Sequence, residues 1–295
     1  MQTRLAIALV LTLLCQASWA DGHPVTMWLA EGAQNRVYLL GSVHLLRESD
    51  HPLPTVIDAA YEDAESIVME IDMDDIDPFA MQGLVNELGL LPGDESLSDI
   101  MGNEMYAEAY EAAEELDIPL DMLARSEPWL AAITVEEMLL MRLGFNPMLG
   151  VEMHLTSRAI RDGKPVDGFE TIEEQLRFMD ELSIAAQNEL LLQTLRESAD
   201  LQSIMDDVIN AWRRGDTAFL EETLLADMQQ YEELNRTLVV DRNHRWMKTI
   251  RELLTLDDDY LIVVGALHMV GEDGVPNLLE ASGVEIHQMQ ETLQD

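Results

Sequence analysis

Two segments of the chain repeat one pattern, an apolar run followed by glycine, two further residues and histidine. Residues 38–44 read YLLGSVH and residues 262–268 read IVVGALH, so the two copies end at His44 and His268. In each copy the glycine permits a sharp exit from a strand, because it has no Cβ to restrict its backbone. In open parallel sheets, ligands bind just beyond the carboxyl ends of the strands. The pair therefore predicts one site that uses both imidazoles.

Glu70 is the carboxylate that we expect at the same edge, because it lies near the end of a third apolar run, residues 66–71 (SIVMEI). A carboxylate beside a buried strand must be paired, hydrogen-bonded or metal-bound, since desolvation of a charge is costly. Two imidazoles and one carboxylate form a common ligand set for a catalytic divalent metal with an open position for water. Alternatively, Glu70 would act as a general base on a metal-bound water, or would only form a salt bridge with an arginine.

The elements that must position these side chains begin with a βαβ unit. Residues 35–40 predict a strand, residues 55–64 a helix and residues 66–71 a second strand, which implies parallel strands and a right-handed crossover. Residues 260–264 (YLIVV) are so apolar that they predict a strand buried within the sheet. Two shorter strands are expected at residues 165–168 and 284–289.

The middle of the chain shows helical periodicity. The predicted helices cover residues 100–116, 129–143, 173–199, 201–210 and 217–254. We therefore predict a single α/β domain over residues 21–295, with a central, mostly parallel sheet formed from both chain ends and a helical insertion at about residues 76–240. A split into two domains near residues 75 and 240 is the alternative.

The first residues predict a cleaved signal peptide. Arg4 precedes an almost unbroken apolar run at residues 5–15, and small residues follow where a signal peptidase reads. The run is shorter than the ~20 apolar residues of a membrane span, so we expect no stable membrane insertion, with an uncleaved anchor as the alternative. Cys15, the only cysteine, would leave with residues 1–20. The expected location is periplasmic or extracellular.

The formal net charge of −40 arises from 57 acidic and 17 basic residues. Such a surface repels itself at low salt and is screened at high salt, which favours adaptation of an exported protein to saline surroundings. A solvated acidic face that only aids solubility is the alternative. The charge opposes binding to nucleic acid and to anionic lipid, because no basic patch is present to meet phosphates.

Six segments match the motifs of a known family in order across nearly the whole mature chain. They are residues 40–46 (LGSVHLL), 68–70 (VME), 150–155 (GVEMHL), 168–175 (GFETIEEQ), 241–246 (DRNHRW) and 265–274 (GALHMVGEDG). The chain thus resembles the TraB/PrgY/GumN family, which is related to the Tiki-type proteases. It departs from the family pattern at Glu152, where aspartate is more frequent.

The resemblance implies a Tiki-like α/β fold and a site on the motif residues. Tiki-type members are metal-dependent peptidases, and their motif residues correspond to His44, Glu70 and His268, with Arg242 as a further site residue. More distant relatives include erythromycin-esterase-like hydrolases and haem-binding ChaN-like proteins, and many bacterial members have no assigned activity.

Further candidates come from the same segments. They are Gly41, Gly265, Glu170, Asn243 and Glu152. Glu170 would join the site or stabilise a helix start through the helix dipole. Arg242 would stabilise an oxyanion, bind a substrate carboxylate or pair with a surface acid. For Glu152, at a helix start, a structural role is favoured.

The leading hypothesis is a metal-dependent hydrolase, specifically a peptidase, acting on a peptide or small-molecule substrate. His44, Glu70 and His268 would hold Mn²⁺, Co²⁺ or Zn²⁺, and Arg242 would steady the transition state. The alternatives are a non-catalytic protein that binds haem or a peptide in the same crevice, and a structural protein with a relict site. No Gly-x-Ser-x-Gly, His-Glu-x-x-His or phosphate-binding glycine-rich motif is present.

Overall fold

A computed structural model describes residues 22–225, 228, 229 and 231–292, and the expected signal peptide at residues 1–20 lies outside this part. Six strands form one sheet in the order β4-β3-β5-β2-β1-β6. Their bounds are β1 Gly22–Glu31, β2 Arg36–Ser42, β3 Ser66–Ile71, β4 Val166–Glu170, β5 Tyr260–Gly265 and β6 Ile286–Thr292. Strands β4, β3, β5 and β2 are parallel, whereas β1 is antiparallel to β2 and β6. The predicted α/β class with a mostly parallel sheet is confirmed.

Helices fill the connections that follow β2, β3, β4 and β5, whereas β1 and β2 are joined by a short turn. The α-helices are α1 Thr55–Asp63, α2 Pro78–Leu88, α3 Leu97–Met101, α4 Asn103–Glu115, α5 Pro128–Arg142, α6 Val151–Asp162, α7 Ile172–Asp180, α8 Ile184–Glu197, α9 Leu201–Arg213, α10 Thr217–Leu220, α11 Glu232–Asn235, α12 Asp241–Leu253 and α13 Val275–Ala281. Wider π-helical turns occupy Glu221–Leu225 and Arg236–Val240. Short 3-10 helices lie at Glu48–Asp50, Leu120–Leu123, Pro147–Leu149, Ser198–Asp200 and Ala266–Met269.

Both faces of the sheet are buried, which explains the continuous apolar run of β5. Leu261 and Val263 point to one face, where they share a core with α1, α6 and α9. Ile262 and Val264 point to the other face, where they share a core with α12 and α13. Helices α3, α4, α5 and α8 build a third core that contains no residue of the sheet. The sheet edge that carries the candidate site is thus fixed by helices on both sides.

The structure divides three of the predicted helices. The helix predicted at residues 100–116 is interrupted at Gly102, which has a φ of 76°. The helix predicted at residues 173–199 is two helices, because Ser183 caps α8 by accepting a hydrogen bond from the backbone N–H of Ala186. The prediction for residues 217–254 is replaced by α10, α11 and α12 with the two π-helical turns.

Two strands also alter the predicted organisation. Strand β1 is not among the strands that the sequence pattern predicts, although its Met27 and Ala30 are fully buried. Strand β4 was expected as a short strand, and it pairs with β3, so the segment at residues 76–240 contributes to the sheet as well as to the helices. Among the described residues, no helix combines the length and apolar character that a bilayer crossing needs.

Candidate functional site

Four parallel strands end side by side at one edge of the sheet. Ser42 at the end of β2 pairs with Gly265 at the end of β5, and Ile71 of β3 pairs with Glu170 of β4. Residues that follow such strands converge whatever their separation in sequence. The ends of both Gly-x-x-His patterns and the glutamate of β3 therefore lie in one place, as the sequence predicted.

Glycines in these motifs stand where backbones approach closely. A Cβ on Gly41 would lie 2.7 Å from Cγ2 of Thr26 and 3.2 Å from Cα of Ala266. A Cβ on Gly150 would lie 2.0 Å from the carbonyl oxygen of His44. Glycine at position 150 therefore lets α6 begin directly against the turn that carries the first histidine.

Glu70 lies at the centre of the site. Its carboxylate accepts hydrogen bonds from the backbone N–H of Gly265 at 2.8 Å, from Nη2 of Arg242 at 2.6 Å and from Nε2 of Gln175 at 3.1 Å. Burial alone would raise the pKa of Glu70, but His268, Arg242 and His44 outweigh burial and hold this pKa well below its usual range. Glu70 is therefore an ionised, hydrogen-bonded carboxylate and a weak base.

Arg242 of α12 joins Glu70 to Glu170. Its Nη2 lies 2.8 Å from Oε2 of Glu170, and its Nε lies 3.0 Å from the same oxygen. Glu170 also accepts hydrogen bonds from Nη2 of Arg245 and Nε1 of Trp246, each at 3.0 Å. The side chain of Glu170 is only 4% exposed. Glu170 thus belongs to the site, where it holds the guanidinium of Arg242 in place.

Gln175 is a site residue that the sequence analysis quoted within a motif but did not assign. Its Nε2 donates to Oε2 of Glu70 and, at 3.2 Å, to Oε2 of Glu170. The sequence could have indicated this role, because Gln175 follows Glu170 by five residues and lies in the first turns of α7. The amide therefore ties together the two carboxylates that flank Arg242.

His268 is buried and neutral. Its Nδ1 lies 2.7 Å from Oδ1 of Asn243, whose Nδ2 donates to the carbonyl oxygens of His268 and Asp273. Because the amide of Asn243 is oriented by these two bonds, Nδ1 of His268 carries the hydrogen and Nε2 carries the lone pair. Nε2 accepts a hydrogen bond from Nη1 of Arg242 at 3.2 Å. Burial lowers the pKa of His268 to about 3.

His44 has the opposite environment. Its Nδ1 lies 2.7 Å from Oε1 of Glu152, which also accepts a hydrogen bond from the hydroxyl of Ser42. The negative charge of Glu152 raises the pKa of His44 to about 10. The imidazole is 59% exposed, and a Cβ on Gly265 would lie 3.4 Å from both Nε2 of His44 and Oε1 of Glu70. The site therefore combines an exposed, charged imidazole with a buried, neutral one.

Glu152 has a larger role in the site than its position at a helix start suggested. It lies in the first turn of α6, its side chain is 13% exposed, and its Oε2 has no hydrogen-bond partner among the described residues. Burial alone would raise the pKa of Glu152, but His44 and the hydroxyl of Ser42 outweigh burial and lower it. Glu152 is thus the ionised carboxylate that orients His44.

The predicted ligand set does not fit a metal ion in this arrangement. Nε2 of His268 lies 3.9 Å from Oε1 of Glu70, but its single lone pair already accepts the hydrogen bond from Arg242. Both oxygens of Glu70 are hydrogen-bonded as well. In the part of the chain that the structure describes, no three His, Cys, Asp or Glu side chains are arranged to hold a metal. The cation between Glu70, Glu170 and His268 is a guanidinium.

Comparisons with known proteins agree with the motifs. The profile of the TraB/PrgY/gumN family matches residues 26–288. The chain is 25% identical over 246 residues to the uncharacterized protein YbaP of Escherichia coli (strain K12), a match that covers 82% of this chain and 87% of that protein. The match to the uncharacterized protein YbaP of Shigella flexneri has the same identity and coverage. No solved structure matches the chain. The matched range includes every residue of the site. The chain therefore belongs to the TraB/PrgY/gumN family.

Proposed function

We propose that the protein is a hydrolase that cleaves amide bonds in peptides, with His44 as the group that transfers protons. One observation carries the proposal: Nδ1 of His44 is held by the carboxylate of Glu152 while the rest of the ring is exposed. A carboxylate that orients one ring nitrogen leaves the other free for proton transfer, as in many hydrolases. The similarity of the motifs to those of Tiki-type peptidases supports peptides as the substrate class.

The two histidines would have different roles, proton transfer for His44 and the positioning of Arg242 for His268. Environments that push the pKa values of two titratable groups apart separate their roles. His44 would give a proton to the leaving amine from Nε2 and recover one from the attacking water, so that water is added across the amide bond. His268, which is buried and neutral, would hold Arg242 through Nε2.

Glu70 and Arg242 would hold neighbouring groups in place and would not transfer protons. Glu70 is a weak base in this environment, so its role would be to orient Arg242 and the turn at Gly265. The sequence assigns Arg242 to the negative charge of the transition state, but its guanidinium already donates to Glu70, Glu170 and His268. Arg242 would therefore act as a positioning residue that holds Glu70 and His268 in place.

A divalent metal held by His44, Glu70 and His268 stays a prediction from the sequence. To bind there, Mn²⁺, Co²⁺ or Zn²⁺ would have to replace the hydrogen bonds of Arg242 to His268 and Glu70. The proposed proton transfers therefore involve only His44, the substrate and the attacking water. The experiment on activity must therefore include metal removal and addition.

The test is cleavage of a mixture of internally quenched peptides by the purified protein. The assay is run in chelator-treated buffer, and then with Mn²⁺, Co²⁺ or Zn²⁺ added. We expect His44→Ala to lose about 10²- to 10⁴-fold in rate, the usual contribution of a general acid–base group. The matched control is His287→Ala, because His287 is 61% exposed on β6. The proposal fails if no peptide is cleaved faster by the wild type than by His44→Ala under any metal condition.

We further propose that the protein acts in the periplasm or outside the cell. The support is the sequence of residues 1–20, which has the charge and apolar pattern of a signal peptide. The test is expression of the full chain followed by cell fractionation and N-terminal mass spectrometry. A mature chain that begins near Asp21 in the exported fraction is expected, whereas an intact Met1 in the cytoplasm contradicts export.

A further inference from the structure

A cavity of about 280 Å³ opens beside His44. Four of the residues that line the cavity are polar residues of the site, His44, Glu70, Glu152 and Gln175. The other lining residues, which together form the apolar wall, are Met69, Ile71, Met73, Pro147 and Met153. The cavity thus places an apolar surface next to His44, the residue proposed to transfer protons.

The cavity has the size of a subsite. Its volume of about 280 Å³ lies just below the range of about 300–1,000 Å³ that is usual for cavities that hold a whole small-molecule ligand, so it has room for a single side chain of a longer substrate. Three of its wall residues are methionines, whose unbranched and polarizable side chains adapt to different apolar shapes. The residues that line the apolar wall carry no charge. The wall therefore favours aliphatic or thioether side chains over charged or small polar ones.

The wall is built into the same elements as the site. Met69 precedes Glu70 in β3, is 1% exposed and accepts a hydrogen bond at its sulfur from the hydroxyl of Thr156 at 3.5 Å. Met153 follows Glu152 in the first turn of α6. Met73 lies just beyond the end of β3 and is half-buried. Met69 is consequently fixed in the core, whereas Met73 and Met153 are only half-buried and are therefore the methionines to change in a test.

We propose that this cavity is the specificity pocket of the enzyme and takes the aliphatic side chain of a peptide residue next to the bond that is cleaved. The inference rests on the proposed hydrolase function and names its substrate class. The side chain would be held against Met73 and Met153, which sets the neighbouring carbonyl carbon beside His44. Discrimination by an apolar pocket of this kind between side chains that differ by one methylene is about 10- to 200-fold.

The first arm of the test is cleavage of peptides that are identical except for leucine or serine at one position. We expect kcat/KM to be at least about 10-fold higher for the leucine peptide. Met73→Ser and Met153→Ser should reduce this preference to less than about threefold, and Met122→Ser should leave it unchanged. Met122 is the matched control because it is 81% exposed and does not line the cavity. Equal cleavage of both peptides, or a preference unchanged in the two pocket variants, overturns the inference.

The second arm does not depend on turnover. Saturation-transfer NMR measures contact of the protein with N-acetyl-leucinamide and N-acetyl-serinamide. We expect a signal for the leucine probe that is lost in Met73→Ser and Met153→Ser and kept in Met122→Ser. If nothing is cleaved but this pattern is found, the pocket stands and the hydrolase proposal falls. If the leucine probe gives no signal, or the same signal in all variants, the pocket is wrong even where cleavage occurs.

Discussion

Nη1 of Arg242 lies 3.2 Å from Nε2 of His268, so an arginine donates to a histidine that the sequence assigned to a metal. Because Nδ1 donates to Asn243, Nε2 holds the only lone pair of the neutral ring. Arg242 also contacts both carboxylates, Glu70 and Glu170. A fixed guanidinium therefore lies between the two carboxylates and offsets part of their charge. A metal would require this arrangement to open.

Arg242→Met should strongly destabilise the protein. It leaves Glu70 and Glu170 buried without their main counter-charge, and removing one partner of a buried ion pair costs about 3–5 kcal/mol. The measurement is the free energy of unfolding in urea. Arg245→Met is the control, because Arg245 contacts Glu170 as well but is 52% exposed, and exposed pairs contribute about 0–1 kcal/mol. Equal losses for the two variants contradict the central role of Arg242.

Asn243→Ala should lower the free energy of unfolding by about 1–3 kcal/mol. The variant removes the acceptor of the Nδ1–H bond of His268, and this is the usual cost of a buried donor that is left without a partner. In the wild type, ¹⁵N NMR of the imidazole should show a neutral ring with hydrogen on Nδ1 and no titration between pH 5 and 8. A ring with hydrogen on Nε2 would show that Arg242 cannot donate to it as described.

The gathering of His44, Glu70 and His268 at one edge was predictable from the sequence. The reason is that each follows or ends an apolar strand, and parallel strands end together. The apolar runs of β2, β3 and β5 can each be recognised from their own residues, and they predict where each strand ends. Strand β1 is missing from the sequence prediction, although its pairing with β2 has a local signal. The two strands are joined by residues 32–35 (GAQN), a short turn that contains glycine and is typical of a hairpin.

The partners of these residues were not predictable from periodicity. Glu152 is 108 residues from His44, and the contact depends on α6 starting against the first Gly-x-x-His turn. Arg242 reaches His268 because α12 packs across the second face of the sheet. Such contacts between elements decide whether a histidine faces a metal, a carboxylate or an arginine, and the spacing of residues does not contain them.

Gly265→Ala should reduce activity while the fold is kept. The added methyl would lie 3.4 Å from Nε2 of His44 and from Oε1 of Glu70, where it narrows the space that a substrate carbonyl would enter. Gly265 has a φ of −51°, which alanine adopts without strain. We expect a fall in kcat/KM of about 10-fold or more, comparable to small misplacements in active sites, with an unchanged melting temperature. The control variant is Gly83→Ala, because Gly83 is exposed on α2. Gly283→Ala is not used as the control, because Gly283 has a positive φ that alanine adopts only with strain.

Salt should stabilise the protein. The formal net charge is −40, and self-repulsion of this size is screened when the Debye length falls from about 10 Å at 0.1 M salt to about 3 Å at 1 M. The melting temperature should therefore rise between 0.1 and 1 M NaCl. Sucrose at matched osmolality is the control for exclusion effects. A melting temperature that is constant or falls with NaCl contradicts the interpretation of the charge as an adaptation to saline surroundings.

Asp50 should contribute stability that is lost in acid. Its carboxylate accepts hydrogen bonds from the backbone N–H of Arg47 at 2.8 Å and from Nε of Arg47 at 3.0 Å. Burial alone would raise the pKa of Asp50, but the hydrogen bonds and charge of Arg47 and the charge of Arg213 outweigh burial, so the pKa in the folded protein lies below its usual range. The stabilisation is consequently present above the unfolded pKa and disappears as the pH falls through the folded one.

The measurement compares Asp50→Asn with the wild type in urea unfolding between pH 7 and pH 3. Hydrogen bonds to a charged group contribute about 1.5–3 kcal/mol each, so we expect the variant to be less stable by about that amount from pH 7 to pH 5. The difference should shrink below about pH 4, because Asp50 of the unfolded wild type then takes up a proton while the folded carboxylate is still ionised. Glu272→Gln is the control, since Glu272 is exposed and its replacement should leave the pH curve close to that of the wild type. A difference that stays constant down to pH 3 would mean that Asp50 acts through packing and not through its charge.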